Sequence, residues 1–404
     1  MTVGPACPEL KRSVPGFVAR DYPPLRLKSK KIINNKEVDR WLANCRLLIG
    51  SMFLKPMDFG ETIMNNTKSI AVGAAMLCGV LAAPYASAAT TLESVKENGH
   101  LQCGVTSGLP GFSQPDDKGN WTGIDVDTCR AVAAAIFGDA KAVEFTPLTA
   151  KERFTALQSG EIDMLSRNTT WTLTRDASLG LNFAGVNYYD GQGFLINKDI
   201  GVDDATQLDG ATVCIQAGTT TELNLSDYFR AKGMEYQPIV FDTSEQTVQG
   251  FAAGRCDVLT SDRSQLAALR SKLADPDSAK ILPNTISKEP LGPVVRQGDD
   301  QWFNIVKWVL AVQINAEELG VTSANADEML KSDNPNVQRL LGTDGDMGAK
   351  LGLRDDFGYQ AIKLVGNYAE MYNRNVGPDT PLGLDRGVNA LWTDGGVLYA
   401  PPVR

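Results

Sequence analysis

Three short polar segments carry side chains suited to binding charged groups, and each follows a predicted strand. "SRNTTWTLTRD" contains Arg175, "CIQAGTTTEL" contains Gly218 before a predicted helix, and "LTSD" ends in Asp262. A guanidinium offers paired donors that match the two oxygens of a carboxylate. The first N–H groups of a helix also bind anions, whereas an aspartate can pair with an ammonium. Together the three segments predict a site for an α-amino acid.

Each segment also has an ordinary structural interpretation. Arg175 can pair with Asp176 at a solvated turn, and Asp262 can cap the helix that follows it. The hydroxyl and amide side chains can act as helix caps, with Glu222 closing a capping box, at Asn168, Thr170, Thr172, Thr219 and Thr220. Trp171 can pack in a core or form an apolar wall against a ligand. Residue types alone leave these alternatives open.

The predicted elements bring the three segments together. "HLQCGVT", "AVEFTPL" and "IDML" read as strands separated by two amphipathic helices, and "ATVCIQ", "YQPIVF" and "CDVLTSD" repeat the pattern. Such alternation predicts parallel sheets covered by helices. Ligands of open α/β sheets bind at the carboxyl ends of the strands. We therefore expect one crevice between two α/β lobes.

The domain boundaries follow from the two repeated units. We expect lobe 1 to consist of residues 89–192 and 291–345, and lobe 2 of residues 193–290. "YYDGQGFLINK" and "SKEPLGPVVR" are then the segments that cross between the lobes. Residues 346–404 are a C-terminal extension that we expect to pack on lobe 1 or the hinge.

The N-terminal part differs from the rest. Residues 64–88 show a short basic start, an apolar run and an Ala-Ser-Ala site, which is typical of a secretory signal peptide. Residues 1–63 precede it and are expected to be a start-site artefact or a disordered leader.

Composition and charge exclude several function classes. Residues 89–404 carry 27 Lys and Arg against 42 Asp and Glu, a net charge of −15, so we expect no nucleic-acid partner. The single histidine, His100, rules out a His-rich metal site, and no cofactor motif is found.

Four cysteines follow residue 88, namely Cys103, Cys129, Cys214 and Cys256. An even number in an exported chain suggests disulfides. Local pairing predicts 103–129 and 214–256, although four cysteines allow three connectivities. No C-x-x-C pattern occurs, so redox or zinc chemistry is not indicated.

From about residue 90 onward the chain resembles the general L-amino-acid-binding periplasmic proteins of bacterial ABC transporters, in the polar amino acid family. The resemblance is carried by "LPGFSQPDDKGNWTGIDVD", "RNTTWTLTRD", "YYDGQGF", "CIQAGTTTE", "GRCDVLTSD", "ISKEPLGPVVR" and "LYAPPVR". It implies an α/β, two-lobed periplasmic binding protein of type II, with two crossover strands at the hinge.

The same resemblance implies roles for individual residues. Arg175 stands at the carboxylate-binding arginine, and Asp262 at the aspartate that binds the ammonium. Thr170 and Asn168 match first-lobe contacts. Thr219 and Thr220 match second-lobe contacts with the carboxylate.

One implied contact is not matched, because many relatives stack the ligand on an aromatic residue near the start of lobe 1. "GLPGF" places Leu109 near that position and Phe112 three residues later. Phe112 and Trp171 are therefore the aromatic candidates for the ligand-binding site.

The leading functional hypothesis is a non-enzymatic periplasmic receptor that captures an L-α-amino acid and delivers it to a membrane permease. We expect it to be a monomer. The alternative is an exported enzyme on the same scaffold, resembling a dehydratase and acting on a small carboxylate.

Overall fold

The computed structural model describes residues 89–404. The predicted leader (1–63) and signal peptide (64–88) lie outside the described residues. The fold begins with a helix whose Thr90 and Glu93 form a capping box, and the first strand follows directly.

Lobe 1 is built on a five-stranded sheet in the order β4-β1-β5-β14-β6. Its strands are β1 (Leu101–Thr106), β4 (Val143–Leu148), β5 (Met164–Leu165), β6 (Leu181–Phe183) and β14 (Val294–Arg296). β1 pairs in parallel with β4 and β5, whereas β14 is antiparallel to β5 and β6. β2 (Gln114–Pro115) and β3 (Trp121–Thr122) form a separate antiparallel hairpin.

Lobe 2 repeats this arrangement in the order β10-β9-β11-β8-β12. Its strands are β8 (Gln192–Asn197), β9 (Thr212–Gln216), β10 (Gln237–Phe241), β11 (Val258–Asp262) and β12 (Ala279–Ile281). β9 is parallel to β10 and β11, and β8 is antiparallel to both β11 and β12.

Two short antiparallel strands, which we call the hinge ribbon, join the lobes. They are β7 (Tyr188–Asp190) and β13 (Glu289–Leu291). Both belong to the segments that were predicted to cross between the lobes.

Helices cover the sheets and form the C-terminal part of the chain. Those up to residue 270 are α1 (Thr91–Asn98), α2 (Ile124–Phe137), α3 (Arg153–Ser159), α4 (Leu173–Ser178), α5 (Thr220–Lys232), α6 (Ser244–Ala252) and α7 (Arg263–Arg270). The later ones are α8 (Asp300–Glu318), α9 (Ala326–Met329), α10 (Pro335–Leu341), α11 (Met347–Leu351), α12 (Phe357–Val365) and α13 (Tyr368–Asn375). Short 3-10 helices include Gly387–Asn389 and Trp392–Asp394.

Helix α2 forms the centre of the largest core. Its residues from Ala131 to Ala135 are fully buried, because small side chains let α12 and α8 pack closely against it. Asp125 and Asp127 in its first turn complement the helix dipole, and the helix ends at Gly138 in a left-handed conformation.

One detail of the predicted elements is wrong. The sheets are mixed rather than parallel, because the segments crossing between lobes enter each sheet against the direction of its parallel strands. Helix α3 begins at Arg153. Just before it, Thr149 and Glu152 exchange the two hydrogen bonds of a capping box.

Both predicted disulfides are confirmed. Cys103 joins Cys129, which ties β1 to α2 in lobe 1, and Cys214 joins Cys256 in lobe 2. All four half-cystines are buried. In residues 89–404, no helix has both the length and the apolar character that crossing a membrane requires.

Replacing Cys214 and Cys256 together by alanine is expected to lower the free energy of unfolding by about 2–4 kcal/mol. The bridge spans a sequence separation of 42 residues and so restricts the unfolded chain. Urea unfolding of the oxidised wild type and variant measures the difference. The fully reduced wild type is the control, and an unfolding midpoint unaffected by reduction would contradict the prediction.

Candidate functional site

The polar segments meet in a cleft between the lobes, at the hinge ribbon. The lobes touch at the cleft edges, where Lys151 Nζ lies 2.6 Å from Asp242 Oδ1 and Lys272 Nζ donates to the Gly108 carbonyl at 3.1 Å. Loop 1, residues 166–172, faces lobe 2 directly, because Asn168 and Thr170 contact Gln265 and Thr220.

Arg175 belongs to helix α4, whose N-cap Thr172 accepts a hydrogen bond from the Arg175 backbone N–H. The Arg175 side chain is 8% exposed. Its Nη1 donates to the Thr170 carbonyl at 2.8 Å, and its guanidinium lies 5.2 Å from the centre of the Phe154 ring. Burial lowers the pKa of Arg175, and the charges of Glu289 and Asp262 partly offset this. It forms no ion pair with a carboxylate of the described residues, so its charge is available to an anion.

The turn at Asn168 is held by a buried carboxylate in lobe 1. Asn168 has φ 32°, a left-handed conformation that costs energy for a residue other than glycine. Asp125 offsets this cost by accepting hydrogen bonds from the Asn168 N–H at 2.8 Å and from Ser166 Oγ at 3.0 Å. The Asn168 side chain then donates to Gln265 Oε1 of lobe 2 at 2.9 Å.

Burial dominates the electrostatics of Asp125. It raises the pKa of this carboxyl to about 6, although the Asn168 N–H, Ser166 and Asn187 hydrogen bonds favour the charged form. Asp125 therefore supports the turn from inside lobe 1. It is not among the cleft residues predicted from the sequence.

Threonines from the two lobes approach each other above the hinge. Thr170 Oγ1 lies 3.4 Å from Thr220 Oγ1, and Thr220 donates to Glu289 Oε2 at 2.9 Å. Glu289 is buried on β13 and also accepts from Asn224 and Ser287. These bonds connect lobe 1, lobe 2 and the hinge ribbon.

Helix α5 begins at Thr220, immediately after the Gly218 turn. Gly218 has φ 75°, and a Cβ on it would lie 3.0 Å from Lys151 Cγ of lobe 1, so both backbone conformation and space favour glycine. Thr219 is the N-cap residue, but its hydroxyl donates to the Gln216 carbonyl and makes no capping bond. Glu222 accepts from the Gly218 N–H at 2.8 Å, so the expected capping box does not form.

Asp262 ends β11 at the floor of the cleft and is 6% exposed. It occupies the N-cap position of α7 without a capping hydrogen bond. Its carboxylate forms no ion pair with a residue of 89–404. Burial raises its pKa well above the ordinary value, and the nearby charges of Asp190 and Glu289 raise it further, while Arg175 and Arg153 lower it. A cation placed beside Asp262 would relieve this penalty.

Sequence reasoning missed three charged residues near the cleft: Arg153, Asp190 and Glu289. Arg153 is buried, and its Nε has no hydrogen-bond partner. Its Nη1 bonds to Thr169 Oγ1 and the Arg167 carbonyl are long, at 3.3 and 3.5 Å. Burial lowers its pKa well below the ordinary value, and the charges of Arg175 and Arg167 add to this.

Arg153 gave no distinctive signal, because it follows Lys151 and Glu152 in an ordinary charged helix start, "KERFTAL". Asp190 and Glu289 lie in the segments already predicted to cross the hinge. Asp190 accepts hydrogen bonds from the Ser264 hydroxyl and N–H, and burial raises its pKa to about 6. Arg167, which the sequence left without a role, donates to the Leu148 carbonyl and braces loop 1 from within lobe 1.

The two aromatic candidates lie in different environments. Phe112 is 1% exposed and packs edge to face on Tyr188 at 5.4 Å, inside the lobe 1 core. Trp171 is 40% exposed, stacks on Phe183 at 5.6 Å and lines an apolar surface cavity with the C-terminal tail.

Residues 101–323 match the family described as bacterial extracellular solute-binding proteins, family 3. The chain belongs to this family. It is 56% identical over 342 residues to the "General L-amino acid-binding periplasmic protein AapJ" of Rhizobium johnstonii, covering 84% of this chain and 99% of the relative. It is 51% identical over 338 residues to the "Glutamate/glutamine/aspartate/asparagine-binding protein BztA" of Rhodobacter capsulatus, covering 83% and 99%.

A solved structure also matches over most of the chain. An ABC transporter periplasmic binding protein from Brucella ovis with glutathione bound has 57% sequence identity and a TM-score of 0.77. The match covers 78% of this chain and 100% of that one.

These findings confirm the predicted resemblance, the type II binding-protein fold and the function of a periplasmic solute-binding receptor. The relatives are named as binding proteins, which agrees with a receptor rather than with the alternative of an exported enzyme.

Proposed function

We propose that this protein binds L-α-amino acids between its lobes and presents them to the permease of an ABC transporter. The observation that carries the proposal is a pair of buried, opposite charges contributed by different lobes. Arg175 of lobe 1 and Asp262 of lobe 2 both lack a charged partner in the described residues, and each lies close enough to influence the pKa of the other. A zwitterion supplies a carboxylate to the first and an ammonium to the second.

The neighbouring polar groups complete the proposed recognition. Asn168 and Thr170 lie on the lobe 1 face of the cleft and Thr220 on the lobe 2 face. Asn168 donates to Gln265 across the cleft, and the Thr170 and Thr220 hydroxyls lie within hydrogen-bond distance of each other. Thr219 and Thr220 start α5, whose N-terminal N–H groups favour an anion. We assign Arg175 with the start of α5 to the ligand carboxylate, and Asp262 with Thr170 to the ammonium.

A ligand held from both lobes is bound fully only when the cleft is closed. Its extra affinity for the closed form then shifts the equilibrium between open and closed states. Delivery to a permease is part of the proposal, supported by the names of relatives that work with ABC transporters. Action as a monomer is a further part of it.

Arg153 supports a narrower proposal about the ligand side chain. Its guanidinium is buried, carries an Nε without a partner and lies close enough to Asp262 to interact with it. An anionic or amide side chain would supply the missing acceptor. We propose that acidic and amide amino acids are among the ligands, as the name of the Rhodobacter capsulatus relative supports.

Removing the carboxylate or the ammonium from the ligand is expected to abolish binding, and removing the protein charge that pairs with either group is expected to weaken it strongly. Wild-type protein with glutamate or glutamine at about 100 times Kd should gain roughly 2.7 kcal/mol in a thermal-shift assay. The decarboxylated and deaminated analogues should give no shift. Arg175→Ala and Asp262→Ala should each weaken binding more than about 100-fold, because an unpaired charge is left buried.

Arg230→Ala is the control for these variants, because Arg230 pairs with Asp227 on the exposed surface of α5. It should bind as the wild type does. An amine without a carboxylate that stabilises the protein as well as the amino acid would show that the assignment of Arg175 is wrong.

Arg153→Met is expected to weaken glutamate binding about tenfold or more, because a charge-assisted hydrogen bond is lost. Serine and alanine should lose little affinity, since they do not reach this guanidinium. Calorimetry with all three amino acids separates the effects. An equal loss for every ligand would mean that Arg153 acts only on the shape of lobe 1.

Ligand affinity is expected to fall as the pH is lowered through the raised pKa of Asp262. Protonated Asp262 cannot pair with the ligand ammonium, so protons compete with the ligand, and binding to the protonated form must release a proton. Asp190, with a pKa of about 6, adds to the fall around that pH. Calorimetry in two buffers of different ionisation enthalpy measures both Kd and the released proton. A Kd that stays constant from neutral pH down to the acid limit of the folded protein would contradict the role of Asp262.

A further inference from the structure

The family match ends at residue 323, yet the fold continues in order to Arg404. The later residues pack against α2 and α8 of lobe 1 through α12 and α13. One part of them reaches further and contacts the hinge ribbon. That contact suggests a role for the C-terminal extension in ligand binding.

The contact is made by Asn389, at the end of the 3-10 helix Gly387–Asn389. Its Oδ1 accepts from the Tyr189 N–H at 2.7 Å, and its Nδ2 donates to the Tyr189 carbonyl at 2.9 Å. Tyr189 is the middle residue of β7. The Asn389 amide therefore bonds to the edge of β7 as a neighbouring strand would.

The register of the hinge ribbon explains why this edge is open. Tyr189 stands opposite Pro290 in a non-hydrogen-bonded pair, so the Tyr189 N–H and carbonyl both point away from β13. On the other edge of β13, the Pro290 carbonyl accepts from the Trp171 N–H at 2.8 Å, and the Gly292 N–H donates to the Thr169 carbonyl at 3.1 Å. Asn389, β7, β13 and loop 1 thus lie side by side. The Asn389 side chain bonds to the backbone of β7, and backbone hydrogen bonds join β7, β13 and loop 1.

Asn389 is itself fixed to lobe 1. Its carbonyl accepts from Arg386 Nε at 3.0 Å, and Arg386 pairs with Glu317 of α8 at 2.9 Å. The Asn389 side chain is buried, so its geometry does not depend on solvent. Tyr372 of α13 also stacks on Tyr188 of β7, with ring centres 6.0 Å apart.

The hinge ribbon carries the contacts on which closure depends. Asp190, next to Tyr189, accepts from Ser264 of lobe 2, and Glu289, next to Pro290, accepts from Thr220. A shift of β7 against lobe 1 would move both carboxylates and the Thr170 segment paired with β13. The position of β7 is therefore coupled to the ligand-binding residues.

We propose that Asn389 is a positioning residue for ligand binding. It holds the middle of β7 to lobe 1, so that bending on closure is confined to the part of the hinge ribbon nearer lobe 2. The C-terminal extension is in this sense a brace for the hinge. The inference rests on the proposed function, because its readout is the affinity for an amino acid.

Asn389→Ala removes both hydrogen bonds and is expected to raise Kd for glutamate or glutamine about 3–10-fold, with most of the change in the dissociation rate. Asn389→Asp keeps the acceptor for the Tyr189 N–H but sets a carboxylate oxygen against the Tyr189 carbonyl, so it should impair binding at least as much as Asn389→Ala. Stopped-flow binding measures the rates, and spin labels on the two lobes measure the distribution of interlobe distances without ligand. That distribution should be broader in Asn389→Ala.

Asn375→Ala is the matched control. Asn375 is also in the extension and makes two side-chain hydrogen bonds, to Asp127 and the Met371 carbonyl, but it contacts α2 rather than the hinge. It should lower the unfolding temperature as Asn389→Ala does, while leaving Kd and the interlobe distances unchanged.

Unchanged rates and distances in Asn389→Ala would overturn the proposal, and so would equal changes in both variants. A wild type that binds no amino acid would instead refute the proposed function. The interlobe distances would still test the brace in that case, because they are measured without ligand.

Discussion

The structure depends on an electrostatic arrangement that is incomplete within each lobe. Arg175 and Asp262 are buried on opposite sides of the cleft, and neither has a charged partner among the described residues. A buried charge without a partner costs several kcal/mol, so the fold must compensate elsewhere. Here the compensation comes from the Thr170 carbonyl and the Phe154 ring around Arg175, and from an upward shift in the pKa of Asp262. The remaining penalty favours a zwitterionic ligand.

The rest of the cleft holds these charges in place through hydrogen bonds. Asp125 fixes the strained Asn168 turn, and Glu289 fixes Thr220 and Asn224 from the hinge ribbon. Such bonds are individually modest, but together they remove the freedom of loop 1 and of the start of α5 before a ligand arrives. The disulfides act at a distance from the cleft, where they tie strands to their surroundings within each lobe.

Much of this arrangement was predictable because strand ends carry a local signal. The strand, turn and helix periodicities place Arg175, Gly218 and Asp262 at carboxyl ends of strands, and such ends meet in one crevice. The pairing of cysteines was also predictable, because each disulfide joins two cysteines that are near each other in the sequence, within one α/β unit. The antiparallel strands β8 and β14 were not, because their direction is set by the crossings between lobes and not by their own residues. The roles of individual ligand contacts stay predictions.

Residues whose importance comes from long-range contacts gave no usable pattern. Arg153 reads as the start of a helix, and only the fold shows that its guanidinium is buried beside two other arginines. Asn389 lies 200 residues from its partner Tyr189, in a segment rich in turns. Its importance follows from the register of the hinge ribbon, which turns the Tyr189 N–H and carbonyl outward, away from β13. The extension and the hinge can therefore be understood only as one unit, in which a side-chain amide supplies the hydrogen-bond partners for the outer edge of β7.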